Sequence, residues 1–203
     1  MKVIFSILFL ALTLYASEAE FSIAMRNSKY GSIGFEYNDI GVVYENSVFI
    51  DVLEKQYARL LIYHDFSWTD RIELRYSLYY GTRYNQDYYD YGGIFEINTR
   101  ITKHALRFSG IYQPYYDSDL EISHGYSAAL SLFPLSEVGV TGGIRNIPDY
   151  RETERRVFAG LVFDTPHLLL QPIISTPLRS GAKSVTRLTI NFVYRLSLLE
   201  NGG

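Results

Sequence analysis

The sequence predicts an all-β protein, an antiparallel up-and-down transmembrane β-barrel of about 12 strands, with ten as the alternative count. Three observations predict it. A short apolar leader opens the chain. Hydrophobicity beyond it alternates with a period of two almost everywhere and with a helical period almost nowhere. The connections between the alternating segments are short and long in turn.

The leader is Met1 to Ala19. Lys2 supplies one positive charge, Val3 to Tyr15 is continuously apolar, and Ser17-Glu18-Ala19 places small residues where a signal peptidase reads them. The expected organisation is a signal peptide over 1–19, a barrel over 20–197 and a tail over 198–203. No later stretch is apolar for the length that a spanning helix requires, so a membrane reading has to be a barrel.

The strands expected after the leader cover 21–27, 31–37, 40–50, 54–66, 71–83, 91–101, 104–113, 119–133, 137–147, 155–164, 167–175 and 185–197. The clearest is 71–83. Ile72, Leu74, Tyr76, Leu78 and Tyr80 alternate there with Arg71, Glu73, Arg75 and Ser77. Residues 185–197 repeat the pattern, with Leu188, Ile190, Phe192, Tyr194 and Leu196 opposite Arg187, Thr189, Asn191 and Arg195. Three segments are weaker. The two faces of 54–66 look alike, Pro172 removes a ladder donor from 167–175, and 40–50 has room to bend near Asn46.

Every second connection is tight: Asn38-Asp39, Ser67 to Asp70, Thr102-Lys103, Pro134 to Ser136 and Thr165-Pro166. Most of the others are longer: Tyr84 to Asp90, Pro114 to Asp117, Pro148 to Glu154 and Thr176 to Ser184. Those near Ser28 and Val52 are short. One trimmed end and one elaborated end match short periplasmic turns and longer outer loops.

Composition narrows the rest. The chain has 203 residues, 47% hydrophobic, with Lys+Arg 19 against Asp+Glu 22 and a formal net charge of -3. That balance offers nucleic acid no general footprint. Cysteine is absent, which excludes disulfides, thiolate metal sites, thiol nucleophiles and lipidated cysteines. The chain has 19 tyrosines and only five lysines. Lysine commonly protects the strand edges of soluble sheets. Here the polar faces carry Arg, Glu, Ser, Thr and Gly instead. Aromatic residues recur near strand ends (Phe66 with Trp68, Tyr79 with Tyr80, Phe133, Phe163), where an interfacial girdle requires them.

With apolar faces toward lipid, the lumen-lining candidates are Arg71, Glu73, Arg75, Glu96, Arg100, Arg107, Glu121, Glu137, Arg145, Arg156 and Arg187. Arg83, Arg195, Glu36 and Glu45 share their faces. Nine arginines against six acids make a modestly positive lumen. It reads either as a narrow pore favouring anionic or polar solutes or as a salt-bridged plug. The outer-loop candidates are Tyr84, Asp87, Tyr88, Tyr89 and Asp90, with Tyr115, Tyr116 and Asp117. Tyrosines and carboxylates there would suit a carbohydrate or cation, or would pack on one another.

No catalytic residue, cofactor or metal site is expected. His64, His104, His124 and His167 fall at no metal-ligand spacing. His124 lies on the apolar face, while Ser123 and Ser127 point the other way, so no dyad forms within that strand.

The leader, the alternating strands, the aromatic strand ends and the closing Arg187-Leu-Thr-Ile-Asn-Phe-Val-Tyr194 together resemble the small monomeric outer-membrane β-barrels of Gram-negative bacteria. The resemblance covers residues 1 to about 197. In that family the last strand ends on an aromatic read by the assembly machinery, whereas here Arg195 to Gly203 follows it. The opening Glu20-Phe-Ser-Ile-Ala and the stretch Ser131 to Arg145 are loosely similar to YfaZ-type barrels. The resemblance implies an outer-membrane location, lipid and the barrel-assembly machinery as partners, and a monomer. It implies no defined substrate, and small polar solutes as cargo are expected from the charged lumen. A loop-presenting scaffold of the envelope is the alternative function.

Overall fold

The structure is a computed structural model and describes residues 18–25, 29–46, 57–83, 87–102, 105–119, 121–146, 155–178 and 186–197. The strands are β1 (Glu18–Met25), β2 (Lys29–Tyr37), β3 (Ile40–Asn46), β4 (Tyr57–Thr69), β5 (Ile72–Arg83), β6 (Tyr89–Arg100), β7 (Leu106–Asp117), β8 (Glu121–Leu132), β9 (Val138–Arg145), β10 (Arg156–Asp164), β11 (Leu168–Pro177) and β12 (Arg187–Ser197). Each pairs antiparallel with its sequence neighbours, and β1 pairs with β12, so the sheet closes on itself without an edge. A cut after Ala19 would leave Glu20–Met25 of β1.

The tight turns form one end, and local chemistry explains them. Asn38 and Asp39 both take positive φ (50° and 64°), as a two-residue hairpin turn with the right-handed strand twist requires. Three other turns are each tied by a threonine. Thr69 Oγ1 accepts the N–H groups of Arg71 and Ile72, Thr102 Oγ1 those of Ala105 and Leu106, and Thr165 Oγ1 that of Leu168. The chain ends of β1 and β12 lie at this same end.

The period-two pattern resolves into an inverted protein. On β5, Leu78 is 69% exposed on the outer face while its neighbour Ser77 is 3% exposed on the inner one. Ile62, Phe66, Tyr76, Tyr80, Phe95, Leu130, Ile174, Leu188 and Phe192 all project outward and exposed. Arginines, acids, serines and threonines point in. A soluble barrel buries its apolar face. This one displays it in a continuous belt, as a lipid-facing barrel does.

Two prolines mark breaks in the ladders. β11 pairs with β10 at Ile173–Gly160 and resumes at Leu170–Phe163, skipping Pro172, which has no N–H to give. β7 pairs with β6 at Tyr115–Gly92 and resumes at Tyr112–Phe95, skipping Pro114. In both cases a glycine stands across the break. A Cβ on Gly160 would strike the Pro172 carbonyl, and one on Gly92 that of Pro114, so the backbones approach there only because both residues are glycine.

The sequence misplaced one boundary of functional weight. Tyr115, Tyr116 and Asp117 were expected in a loop beginning at Pro114, but β7 runs through them to Asp117. Tyr89 and Asp90 likewise open β6. Pro114 read as a breaker, yet it costs only the rungs toward β6. On its other side it remains opposite His124 of β8. For the 40–50 segment, strand is described as far as Asn46, and 47–50 lie outside the described residues.

Candidate functional site: the barrel lumen

From β2 onward, inward strand positions carry Arg59, Arg75, Arg83, Arg100, Arg107, Arg145, Arg156, Arg187 and Arg195. Against them stand Glu36, Glu45, Asp65, Glu73, Asp90, Glu96, Asp117 and Asp164. The lumen is therefore close to charge balance, and the expected excess of arginine is corrected. Arg59, Asp65 and Asp164 were not expected in the lumen, and Asp90 and Asp117 were expected in the outer loops. Three expected wall residues sit at the rims instead. Arg71 and Glu137 lie in turns, and Glu121 begins β8 with a positive φ of 61°; all three are exposed. Arg71 and Glu137 keep the strand's parity but fall where the strands have ended. Glu121, an exposed strand end opposite Asp117, is not counted among the inward acids.

The charges are not evenly spread. Seven of the eight acids lie on β2–β7. On β9–β12, four arginines face Asp164 alone among the described inward positions.

On the acid-rich wall, charges are held by cross-strand pairing. Arg75 grips Asp65 with both arms of its fork, Nε to Oδ1 at 2.7 Å and a terminal nitrogen to Oδ2 at 2.6 Å. It also lies 4.1 Å above the Tyr63 ring. Arg59 donates to Glu45 Oε2 through Nε at 2.8 Å. The Tyr63 hydroxyl donates to Glu36 at 2.7 Å. These contacts follow from register, because Asp65 faces Arg75 and Glu45 faces Arg59 across their ladders.

Nearer the loop end, Asp90 and Asp117 stand directly opposite each other on β6 and β7. Two like charges so placed need partners. Tyr57 donates to Asp90 at 2.8 Å, and Tyr88 donates to Asp117 at 2.8 Å. The backbone N–H of Asp119 adds a bond to Asp117 at 2.7 Å. Burial, and then this hydrogen bond to Asp117, pushes the Tyr88 phenol pKa upward. Arg83 covers the Tyr88 ring at 3.9 Å.

On the other wall, Ser175 is almost fully buried between arginines. Arg145 donates to its Oγ at 3.2 Å, Arg156 Nε donates to the same oxygen at 3.2 Å, and Arg156 also reaches the Ser175 carbonyl at 3.0 Å. Arg187 faces Ser175 across the β11–β12 ladder. At the turn end, Arg107 and Arg195 both bind Asp164, at 2.9 and 3.5 Å. Arg100 and Glu73 pair at 3.1 Å at the rim.

Between the charged layers, the interior is apolar in two places. Leu61, Tyr79, Ile94 and Tyr115 form one buried cluster, and Ala129, Phe158 and Ile173 form another.

The expected outer-loop tyrosines divide. Tyr84 lies outside the described residues, and Asp87 is exposed in the β5–β6 connection. Tyr88, Asp90, Tyr115 and Asp117 turn inward and are buried. Tyr89 and Tyr116 turn outward and, with Tyr91, stack on the outer surface with centroids 5.3 to 6.5 Å apart. His124 is also outside, stacked on Tyr112 and hydrogen-bonded to its hydroxyl at 2.9 Å through Nδ1. Ser123 and Ser127 occupy the opposite face of β8.

No family model and no curated protein matches the chain. Solved structures do match. The KdgM porin, also solved in complex with disordered oligogalacturonate, superposes with a TM-score of 0.63 at 9% identity, covering 87% of this chain and 98% of its own. The NanC porin gives 0.56 at 11% identity, covering 89% and 100%. Omp33 of Acinetobacter baumannii gives 0.50 at 9%, covering 90% and 98%. At such identities the likeness is one of fold: a small outer-membrane β-barrel. These matches show no link to YfaZ-type barrels.

Proposed function

We propose that the chain is a narrow passive channel of the Gram-negative outer membrane, for small polar or anionic solutes. One observation carries the reading. The apolar belt faces outward, while the inner wall is lined by ionised and hydroxyl side chains, and its acids thin out on β9–β12, where four arginines share the described inward positions with Asp164. A wall of that kind replaces part of a solute's hydration shell, and its arginine side favours negative charge. The oligogalacturonate bound by the KdgM porin makes acidic sugars sensible first test solutes. On this reading the chain is exported by its leader and cut near Ala19. It is inserted by the barrel-assembly machinery and works as a monomer surrounded by lipid, without enzymatic activity.

The deciding experiment is conductance of the detergent-folded mature chain in a planar bilayer, with the reversal potential under a salt gradient. Discrete steps with anion preference support the channel. Silence from a heat-modifiable, folded barrel refutes it. Silence would favour the second reading, a closed scaffold that stabilises the envelope. The buried apolar clusters around Tyr79 and Phe158 supply its basis, since a barrel interior packed by its own side chains conducts nothing.

A further inference from the structure

The contact between Arg107 and Asp164 joins β7 to β10 at 2.9 Å, and that between Arg195 and Asp164 joins β12 to β10 at 3.5 Å. Neighbouring strands lie about 4.8 Å apart, so these residues are separated along the wall by roughly 14 Å and 10 Å. Side chains that touch across such distances cut through the lumen as chords. Together they run from β7 to β12, five of the twelve strand spacings, where six would be a full diameter. A charged bar therefore spans the β7–β12 side of the lumen at the end with the tight turns. Phe133 fixes it, buried beneath the Arg107 guanidinium at 4.0 Å. Gly139 leaves room for that ring: a Cβ there would come within 2.9 Å of it.

The composition of the bar is its informative property. Two guanidinium groups from different strands converge on a single carboxylate. That is the arrangement by which proteins hold an anionic ligand, with Asp164 in the ligand's place. We propose that Arg107 and Arg195 form an oxyanion-binding site at the turn end of the lumen, that Asp164 occupies it as an internal carboxylate, and that a small carboxylate or phosphate solute enters by displacing Asp164. The displacement is an exchange of one charge-assisted pair for another, with no unpaired arginine left behind. Its use in selecting solutes rests on the channel reading, but the site itself does not.

The test is binding of inorganic phosphate to the folded, detergent-solubilised barrel by titration calorimetry. Asp164→Asn vacates the site and is expected to bind phosphate severalfold more tightly than the wild type. Arg107→Gln with Arg195→Gln in the Asp164→Asn background is expected to lose that gain. Equal affinity in wild type and Asp164→Asn, or undiminished binding in the triple variant, overturns the proposal. Arg195→Gln alone, which keeps Asp164 paired with Arg107, covers the event that Asp164→Asn does not fold. It should bind phosphate more weakly than the wild type, and unchanged binding again overturns the site. Conductance separates this inference from the channel reading. Phosphate binding by Asp164→Asn in a barrel that never conducts refutes the channel and leaves the site standing. A conducting barrel without the binding gain does the reverse.

Discussion

Gly142 and Gly143 are adjacent on β9 yet face opposite sides of the wall, and they should respond oppositely to one added methyl group. A Cβ on Gly143 would point inward, fall onto the Ala128 carbonyl oxygen and lie 2.8 Å from the Ala129 Cα. Those are backbone atoms of the paired strand, so relief requires β8 and β9 to move apart. Forced overpacking of that kind costs about 1–3 kcal/mol. A Cβ on Gly142 points outward and meets only the Phe158 carbonyl oxygen at 3.4 Å, an ordinary contact. Replacing a strand glycine by alanine also recovers about 0.5–1 kcal/mol of backbone entropy. Both variants gain that term, so it cancels between them, and Gly143→Ala should fall below Gly142→Ala by roughly 1–3 kcal/mol. Urea unfolding in lipid vesicles reads the difference, with band shift on unheated gels as the folding check. At a slope of about 2 kcal/mol per molar, the two midpoints should differ by on the order of 1 M. Coincident midpoints, or a lower midpoint for Gly142→Ala, would refute the close approach of β8 to β9 and the assignment of faces on which it depends.

Three further expectations follow from the same geometry. Leu78→Arg puts a charge in the exposed middle of the apolar belt and should cost about 2–4 kcal/mol in a bilayer, whereas a soluble barrel would accept it; vesicle unfolding decides. Asp65→Asn breaks the two-armed grip of Arg75, and because each side chain is about one third exposed the loss should be about 1–2 kcal/mol, between surface and buried pairs; a midpoint unchanged from wild type would be the contrary result. Tyr88 has its pKa raised in the folded chain, so its neutral phenol contributes stability in full below the ordinary tyrosine range and loses it as pH rises beyond. The advantage of wild type over Tyr88→Phe should therefore shrink above about pH 10, and an advantage that holds or grows there would contradict the Tyr88–Asp117 bond.

The twelve strands were legible because lipid on one side and side-chain charge on the other impose a strict alternation, clearest where Ile72 to Tyr80 alternate with arginine, glutamate and serine. It failed where tyrosine occupies both faces. On β7, Tyr112 and Tyr116 point out while Tyr115 points in, so no polarity contrast marked the strand and Pro114 looked decisive. On β4, Arg59 and Asp65 are inward but are interleaved with Leu61 and Tyr63, which made the face look apolar. The acids that balance the lumen were lost for the same reason. Asp90 and Asp117 sit in tyrosine-rich stretches that resemble polar loops. Asp164 stands at a strand end, where no local pattern reveals two arginines reaching it from three and two strands away.

The pairing of β1 with β12 also has a consequence in time. Every other ladder joins consecutive strands, but Phe21 meets Tyr194 across 173 residues of chain. Closing so long a loop costs roughly 2.5 kcal/mol more entropy than closing one of ten residues, because the penalty grows only with the logarithm of length. Eight paired positions meet that cost. Until β12 has docked, however, β1 has β2 alone and one bare edge, able to pair with any other extended chain. Hairpins can accumulate in order from either end, but the cylinder exists only once the last residues arrive. Truncation of β12 should thus yield an aggregating open sheet rather than a smaller barrel.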